Sequence, residues 1–162
     1  GLAMATYTGQ NYGARNLERI RQGVRQCCFM SVGFSIAIAV VNITGGHHLI
    51  ALFVGGGQER VIEMGQTYLE ISGCMYWVLA LLFIYRNTLQ GLGQSLIPTL
   101  AGVMELLMRA LAAVVLAVWW GFNGVCLANP LAWLGAALPL GIAYYASMRR
   151  LKREGLPPPE AV

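Results

Sequence analysis

The sequence predicts an all-α integral membrane protein, a polytopic bundle of four full transmembrane helices with the end of a fifth. Hydrophobic residues make up 57% of the 162-residue chain and charged residues only 11%, whereas about 25% of the residues of a soluble domain are charged. No charged residue occurs among the 33 residues between Arg25 and Glu59 or among the 39 between Arg109 and Arg149. Because about 20 apolar residues suffice to cross a bilayer, each stretch is long enough to contain a transmembrane helix.

The same composition excludes several classes of soluble protein. The net charge of +4 forms no basic patch on a polar surface, so a nucleic acid is not an expected partner, and four cysteines in apolar stretches do not indicate a disulfide scaffold. The chain contains no Asp, no glycine-rich phosphate loop and no nucleophilic or two-carboxylate constellation. We therefore expect no enzyme activity and no catalytic, cofactor-binding or metal site, and membrane lipids are the expected surroundings.

The first elements follow from the apolar stretches and the residues that interrupt them. Residues 1–12 are too short to span and begin with Gly1 rather than Met, so we expect the severed end of a helix and the tail of a longer polypeptide. Apolar side chains at helical spacing in residues 17–28, with Arg21 and Arg25 on another face, predict a helix in the inner membrane interface. The first full span is expected at residues 26–43, closed by Gly45 and Gly46.

Three further spans complete the predicted bundle. The second is expected at residues 68–90, after an amphipathic turn at the outer interface, and a glycine-rich turn that ends at Pro98 separates it from the third at residues 97–119. Gly121 and Gly124 mark the start of the fourth, at residues 124–147. Three consecutive prolines predict a short extended cytoplasmic tail at residues 154–162.

Basic residues predict the orientation of this bundle. Arginines between residues 15 and 25 precede the first full span, and a basic run at residues 149–153 follows the fourth. An even number of spans returns the chain to the same side, so the positive-inside rule places both basic clusters, and with them the C-terminus, in the cytoplasm. The loop with Glu59 and Glu63 is then outside. The expected location is the cell membrane, in particular the bacterial inner membrane.

The strongest functional signal is the pair Glu105 and Arg109 within the third predicted span. At about 1.5 Å per residue from Pro98, they lie about 10 and 16 Å into a core about 30 Å thick. Their insertion costs about 5–7 kcal/mol, which the ten Leu, Ile and Val residues of this span offset by only about 3–6 kcal/mol. The pair must therefore face protein or a water-filled cavity, and its i, i+4 spacing lets the side chains meet. Two roles stay open, a proton or substrate relay and a structural ion pair, and the second is favoured because a neighbouring arginine favours the charged form of a carboxylate.

A second candidate site is Asn129-Pro130 in the fourth predicted span, followed by Pro139. Each proline removes a backbone hydrogen bond and so predicts a break in the helix. Such a break either lines a transport path or only curves the helix. A stripe of small residues on the same helix predicts a packing face, and it comprises Gly124, Ala128, Ala132 and Ala136.

Two short motifs occur in a specific order. The first comprises Gly9, Gln10, Asn11 and Gly13, and the second comprises Gln90, Gly91 and Gly93, ahead of Pro98. With the order of segments between them, they make nearly the whole chain resemble the second half of a multidrug and toxic compound extrusion (MATE) transporter. The resemblance implies a fold of twelve helices in two related halves, of which the chain holds the end of helix eight and helices nine to twelve. It also implies export of small-molecule organic cations, with Na⁺ or H⁺ as the coupling ion and the missing N-terminal half as a partner.

The sequence departs from the family at the coupling-ion site. In some members, carboxylates on the seventh and tenth helices bind the cation, whereas residues 68–90 contain only Glu70, near the outer end. Glu105 is then the only deeply placed acid, which gives a proton-relay role more weight. Two other functions stay open. A lipid-linked saccharide flippase of the wider superfamily should have more basic residues in its cavity than the single Arg109. A non-transporting membrane scaffold subunit should bury Glu105 and Arg109 with no cavity beside them.

Overall fold

The computed structural model describes residues 1–54 and 58–155, and all regular structure within these ranges is helical. The helices are α1 (Leu2–Gly13), α2 (Leu17–Val54), α3 (Glu59–Gly73), α4 (Tyr76–Gly91) and α5 (Leu96–Glu154). By length and composition, α2 and α5 can each cross a membrane, and α3 with α4 forms a third candidate span that is bent by 51°. The predicted all-helical fold is confirmed for the described residues, and the length and apolar composition of these helices support the predicted membrane class. Residues 55–57, in the glycine run after the first predicted span, and residues 156–162, in the predicted tail, lie outside the described residues.

Helix α2 is longer than the first predicted span. It runs without interruption from Leu17 to Val54, so residues 17–28 are the start of the spanning helix and do not form a separate interfacial one. Gly46 lies inside the helix and does not end it. Its role is in packing, because a Cβ atom there would lie 2.5 Å from Gln66 Oε1 of α3. Gln66 Nε2 donates to the carbonyl oxygens of Asn42 (3.3 Å) and Ile43 (3.2 Å). Because Gly46 has no side chain, α3 packs closely against the C-terminal part of α2.

The second predicted span, residues 68–90, is interrupted. Helix α3 ends at Gly73 and α4 begins at Tyr76, and the N–H of Met75 bonds to the carbonyl of Ser72, three residues back. The bend between the two helices lets both follow α2 in the antiparallel direction, because Gln66 contacts α2 near residue 42 while the Tyr76 carbonyl accepts a hydrogen bond from Ser35 at 3.4 Å.

Helix α5 folds back on itself at Gly121, the single residue inside it with non-helical dihedral angles (φ 56°, ψ −132°). We call residues 96–120 the N-terminal arm and residues 122–154 the C-terminal arm. A Cβ atom on Gly124 would overlap the Leu116 carbonyl, and one on Gly135 would lie 3.3 Å from the Met108 side chain. Residues 27 positions apart could not meet along a straight helix, so the two arms are antiparallel. A dihedral pair with positive φ suits glycine, which explains the position of the turn.

The C-terminal arm differs from the predicted fourth span in its length and in its continuity through the prolines. It remains helical to Glu154, beyond the predicted end at residue 147 and into the predicted tail. It also remains helical through Pro130 and Pro139, so the break predicted at Asn129-Pro130 is absent. The predicted small-residue stripe is buried, with Ala132 and Ala136 fully inaccessible. Close packing against neighbouring elements holds this helix together despite the lost backbone hydrogen bonds.

The core lies where α1, α2, α4 and the C-terminal arm meet. Its largest fully buried apolar side chains are Ile20, Leu82, Leu89 and Leu140. Other apolar side chains face outward, such as Phe29 and Phe34 on α2 and Val118 on the N-terminal arm, which are 77%, 68% and 80% exposed. Exposed apolar surface on this scale is typical of helices that face lipid.

Candidate functional site

Three charged side chains meet between α4 and the N-terminal arm of α5, and we call Arg86, Glu105 and Arg109 the charged cluster. Arg109 Nη2 donates to Glu105 Oε1 at 2.7 Å, as the i, i+4 spacing predicts. Arg86 Nη2 donates to Glu105 Oε2 at 2.8 Å from the neighbouring helix. Each carboxylate oxygen therefore accepts one charge-assisted hydrogen bond. Glu105 connects α5 to α4 through Arg86, which lies 19 residues earlier in the sequence.

The members of the charged cluster differ in burial. The Glu105 side chain is 14% exposed and that of Arg86 is 21% exposed, whereas that of Arg109 is 45% exposed. Arg86 also lies over the Phe83 ring, with its Cζ atom 5.8 Å from the ring centroid, and its Nε is buried without a hydrogen-bond partner. Arg86 and Glu105 thus form the shielded part of the cluster, and Arg109 the accessible edge.

The charged cluster carries two formal positive charges against one negative charge. A carboxylate held from two sides fixes the register of its helices, since any sliding breaks two strong hydrogen bonds. Protonation of Glu105 would weaken both bonds at once and leave two guanidinium groups facing each other. The arrangement therefore suits a permanent connection between α4 and α5 better than a site that repeatedly binds and releases a proton.

Arg86 is a member of the charged cluster that spacing and periodicity did not predict. A signal was present, because Arg86 is a charged residue inside the predicted span at residues 68–90 and follows fifteen residues without charge. Charged side chains in such positions require partners. What spacing alone could not provide was the partner, because Arg86 and Glu105 belong to different helices.

The two sequence motifs contact each other across α1 and α4. A Cβ atom on Gly91 would lie 2.5 Å from the Ala5 carbonyl oxygen and 2.8 Å from Thr8 Cβ, while one on Gly9 would lie 3.5 Å from the Gly91 carbonyl oxygen. The glycines therefore allow the two helix backbones to pack at short range.

Other motif positions shape the ends of helices. Asn11 is buried and its Nδ2 donates to the Tyr7 carbonyl at 2.8 Å. Gly93 has a positive φ of 79° in the turn before α5, and Pro98 is buried in the first turn of α5. Gln10, Gly13 and Gln90 are exposed, and a Cβ atom on Gly13 would meet nothing within 4 Å.

Asn129 makes one polar contact, a long hydrogen bond of 3.4 Å from its Nδ2 to the Tyr68 hydroxyl of α3. Its neighbour Pro130 is fully buried in the packing of the C-terminal arm. The structure therefore gives Asn129-Pro130 a place in helix packing and does not bring it to the charged cluster. A cavity of about 420 Å³ lies between α2, α4 and the C-terminal arm, and one of about 560 Å³ lies between α4 and the C-terminal arm. Residues other than those of the charged cluster line both of them.

Within residues 1–54 and 58–155, no three His, Cys, Asp or Glu side chains lie close enough together to hold a metal ion.

The family of the chain is identified by comparison with known families. A family model described as MatE matches residues 1–119, which comprise α1 to α4 and nearly all of the N-terminal arm of α5. The match covers well over half of the chain, includes both glycine motifs and the charged cluster, and confirms the resemblance expected from the motifs. The chain therefore belongs to the MatE family of membrane transporters.

Proposed function

We propose that the chain is the C-terminal half of a secondary active antiporter that exports organic cations in exchange for Na⁺ or H⁺. The observation that carries the proposal is the MatE match over residues 1–119. The antiparallel packing supports it, because α2, the bent pair α3 and α4, and the two arms of α5 can serve as four successive crossings in the order proposed for a transporter half.

The same crossings give the proposed topology in the cell membrane. With the basic run at residues 149–153 in the cytoplasm, Gln58 and the Gly121 turn lie outside, and the turn before α5 lies inside. A second set of related helices, in the N-terminal half of the transporter, completes the path for the substrate. In this proposal the charged cluster holds α4 against α5 while the two halves rock, and it carries no coupling ion itself.

The test is transport in vesicles. We would reconstitute the chain alone and the chain joined to its proposed N-terminal half, impose a Na⁺ or H⁺ gradient, and follow ethidium efflux. We expect gradient-dependent efflux only from the joined form. Absence of efflux with either gradient, in vesicles whose protein is folded, would refute the antiporter proposal. Efflux by the chain alone would refute the need for a second half.

A second candidate function is favoured by Arg86. A lipid-linked saccharide flippase requires basic residues for the pyrophosphate of its substrate, and the charged cluster contains Arg86 in addition to the predicted Arg109. The accessible edge formed by Arg109 is the part that an anionic group could approach. Vesicles with the joined form should then translocate a fluorescent polyprenyl-pyrophosphate saccharide and leave ethidium inside, which is the opposite of the result expected for the antiporter.

A further inference from the structure

A groove runs along the C-terminal arm of α5, and no residue of the charged cluster lines it. Three adjoining cavities, of about 420, 560 and 250 Å³, all include Tyr145 in their linings and lie between the C-terminal arm and helices α2 and α4. We call their combined surface the amphipathic groove, because its two ends differ in chemistry.

One end of the amphipathic groove is apolar. Trp77 and Leu81 of α4 face Leu134, Leu138 and Ile142 of the C-terminal arm across it. Trp77, Leu138 and Ile142 are 43%, 64% and 71% exposed, so the protein leaves this end largely uncovered. Such a surface is costly in water and favourable against hydrocarbon.

The other end of the groove is basic. Four cations line it, Arg21 and Arg25 from α2 and Arg149 and Lys152 from the C-terminal arm. Glu18 is the carboxylate among the lining residues, and its Oε2 lies 3.6 Å from Arg21 Nη1. Both of these side chains are more than half exposed, so the pair is weak and neutralises little of the positive field.

Tyrosines connect the two ends. The rings of Tyr85 and Tyr144 stack with centroids 5.2 Å apart, and the Tyr145 ring meets Tyr144 edge-on at 5.1 Å. Tyrosine side chains have an apolar body and a polar tip, which suits the boundary between hydrocarbon and headgroups. The tyrosines therefore mark the depth at which a bound lipid would change from headgroup to acyl chain.

We propose that the amphipathic groove binds an anionic phospholipid of the cytoplasmic leaflet, with its phosphate among Arg21, Arg149 and Lys152 and one acyl chain along Leu81 and Leu138. The length fits, because Leu134 and Arg149, 15 positions apart on the helix, are separated by about 22 Å, close to the thickness of one leaflet with its headgroups, about 20–22 Å. Basic pockets between helices on this side of a membrane bind anionic headgroups. An organic cation would be repelled by the basic end, and a neutral lipid would leave the net positive charge of this end uncompensated. The proposal depends on membrane insertion and on none of the transport activities.

The test uses brominated phospholipids, which quench tryptophan fluorescence on contact. In the full 162-residue chain, a reporter variant keeps Trp77 at the apolar end and replaces the other three tryptophans with Phe, while a reference variant keeps only Trp119, beside the Gly121 turn. Both are reconstituted in mixtures of phosphatidylglycerol and phosphatidylcholine with identical chains, one lipid brominated at a time. The relative binding constant of the anionic lipid is then read separately at each tryptophan.

We expect Trp77 to report a preference for phosphatidylglycerol of at least about fivefold, which is the increase in lipid binding that one nearby Lys or Arg provides. We expect no preference at Trp119. Replacing Arg21, Arg149 and Lys152 with Gln should abolish the preference at Trp77. The matched control is Arg153→Gln, which removes a charge from the same end of α5 but does not line the groove, and it should leave the preference unchanged.

Three outcomes would overturn the proposal. Equal preference at Trp77 and Trp119, or equal loss per charge with Arg153→Gln, would show general attraction to the membrane surface. No quenching of Trp77 by either lipid would show that protein covers the groove, either a preceding segment of the polypeptide or a second copy. If the reporter variants do not fold, native mass spectrometry of the unchanged chain decides, because it must retain phosphatidylglycerol over phosphatidylcholine from an equal mixture.

Discussion

Replacing Glu105 with Gln should destabilise the protein more than any other single change in the charged cluster. Glu105 is the common acceptor of both arginines, at 2.7 and 2.8 Å, and it is only 14% exposed. The substitution preserves size and removes the single negative charge. It leaves Arg86 and Arg109 facing each other with no carboxylate between them, which is the situation in which breaking a shielded ion pair is most costly.

The magnitude follows from the exposure of each partner. A hydrogen bond to a charged group contributes about 1.5–3 kcal/mol, which applies to the shielded contact with Arg86. The contact with Arg109 contributes about 0–1 kcal/mol, because 45% of that side chain is exposed. Glu105→Gln should therefore lower the free energy of unfolding by about 1.5–4 kcal/mol, and Arg109→Met by no more than about 1 kcal/mol.

The identity of the compensating partner gives a sharper test. From i, i+4 spacing alone, Arg109→Met should restore stability to Glu105→Gln. In the structure that double change still leaves Arg86 shielded and unpaired, so it should not. Arg86→Met combined with Glu105→Gln removes both shielded charges and leaves only the accessible Arg109, and it should recover at least half of the loss.

The assay is unfolding of the chain in mixed micelles by SDS, followed by circular dichroism, for the single and double variants. A loss below about 0.5 kcal/mol for Glu105→Gln, within the range of ordinary surface substitutions, would refute the shielded contact. Better recovery with Arg109→Met than with Arg86→Met would refute the assignment of Arg86 as the principal partner.

Three further predictions concern packing and topology. Gly91→Ala should cost about 1–3 kcal/mol, since its Cβ would lie 2.5 Å from a carbonyl oxygen of α1, while Gly102→Ala, with nothing within 4 Å, should not destabilise; equal thermal stability of the two variants would contradict the close packing of α1 and α4. Gly121→Ala should also cost about 1–3 kcal/mol, because φ is 56° there, and an unchanged thermal midpoint would show that the hairpin turn does not need this conformation. In a chain without its native cysteines, a membrane-impermeant thiol reagent added outside should label a single cysteine at Gln58 and spare one at Gly155, and the reverse pattern would refute the proposed orientation.

The sequence was sufficient for the class of protein because that class depends on composition along one chain. A stretch of 39 residues without charge can only be accommodated by two apolar helices or a very long one, and Gly121, about a third of the way along it, marks the reversal. Both features are local, so no knowledge of neighbouring helices was required.

The predicted role of Gly46 is wrong for a physical reason. Gly46 was expected to end a helix, whereas it lies inside α2 at the point where Gln66 approaches. A glycine that ends a helix and one that allows close packing have the same sequence signal, and the difference depends on whether another backbone lies within reach. That information exists only in the tertiary structure, so the length of α2 could not be predicted from its own residues.

The charged cluster shows the same limit for a site. Periodicity identified Arg109 as a partner of Glu105 because both lie on one helix face. Arg86 contacts the same carboxylate from α4, because the turn that ends at Ser95 brings α4 and α5 side by side. Arg86 lies five residues before the end of α4 and Glu105 nine residues after the start of α5, so in a hairpin their Cα atoms are offset by about four residues, or about 6 Å along the axis. A long arginine side chain covers this offset, whereas a slip of one helical turn that widened it to about 11 Å would separate the charges. The ion pair therefore selects one register of the α4–α5 hairpin, and the cost of burying Arg86 is offset only in that register.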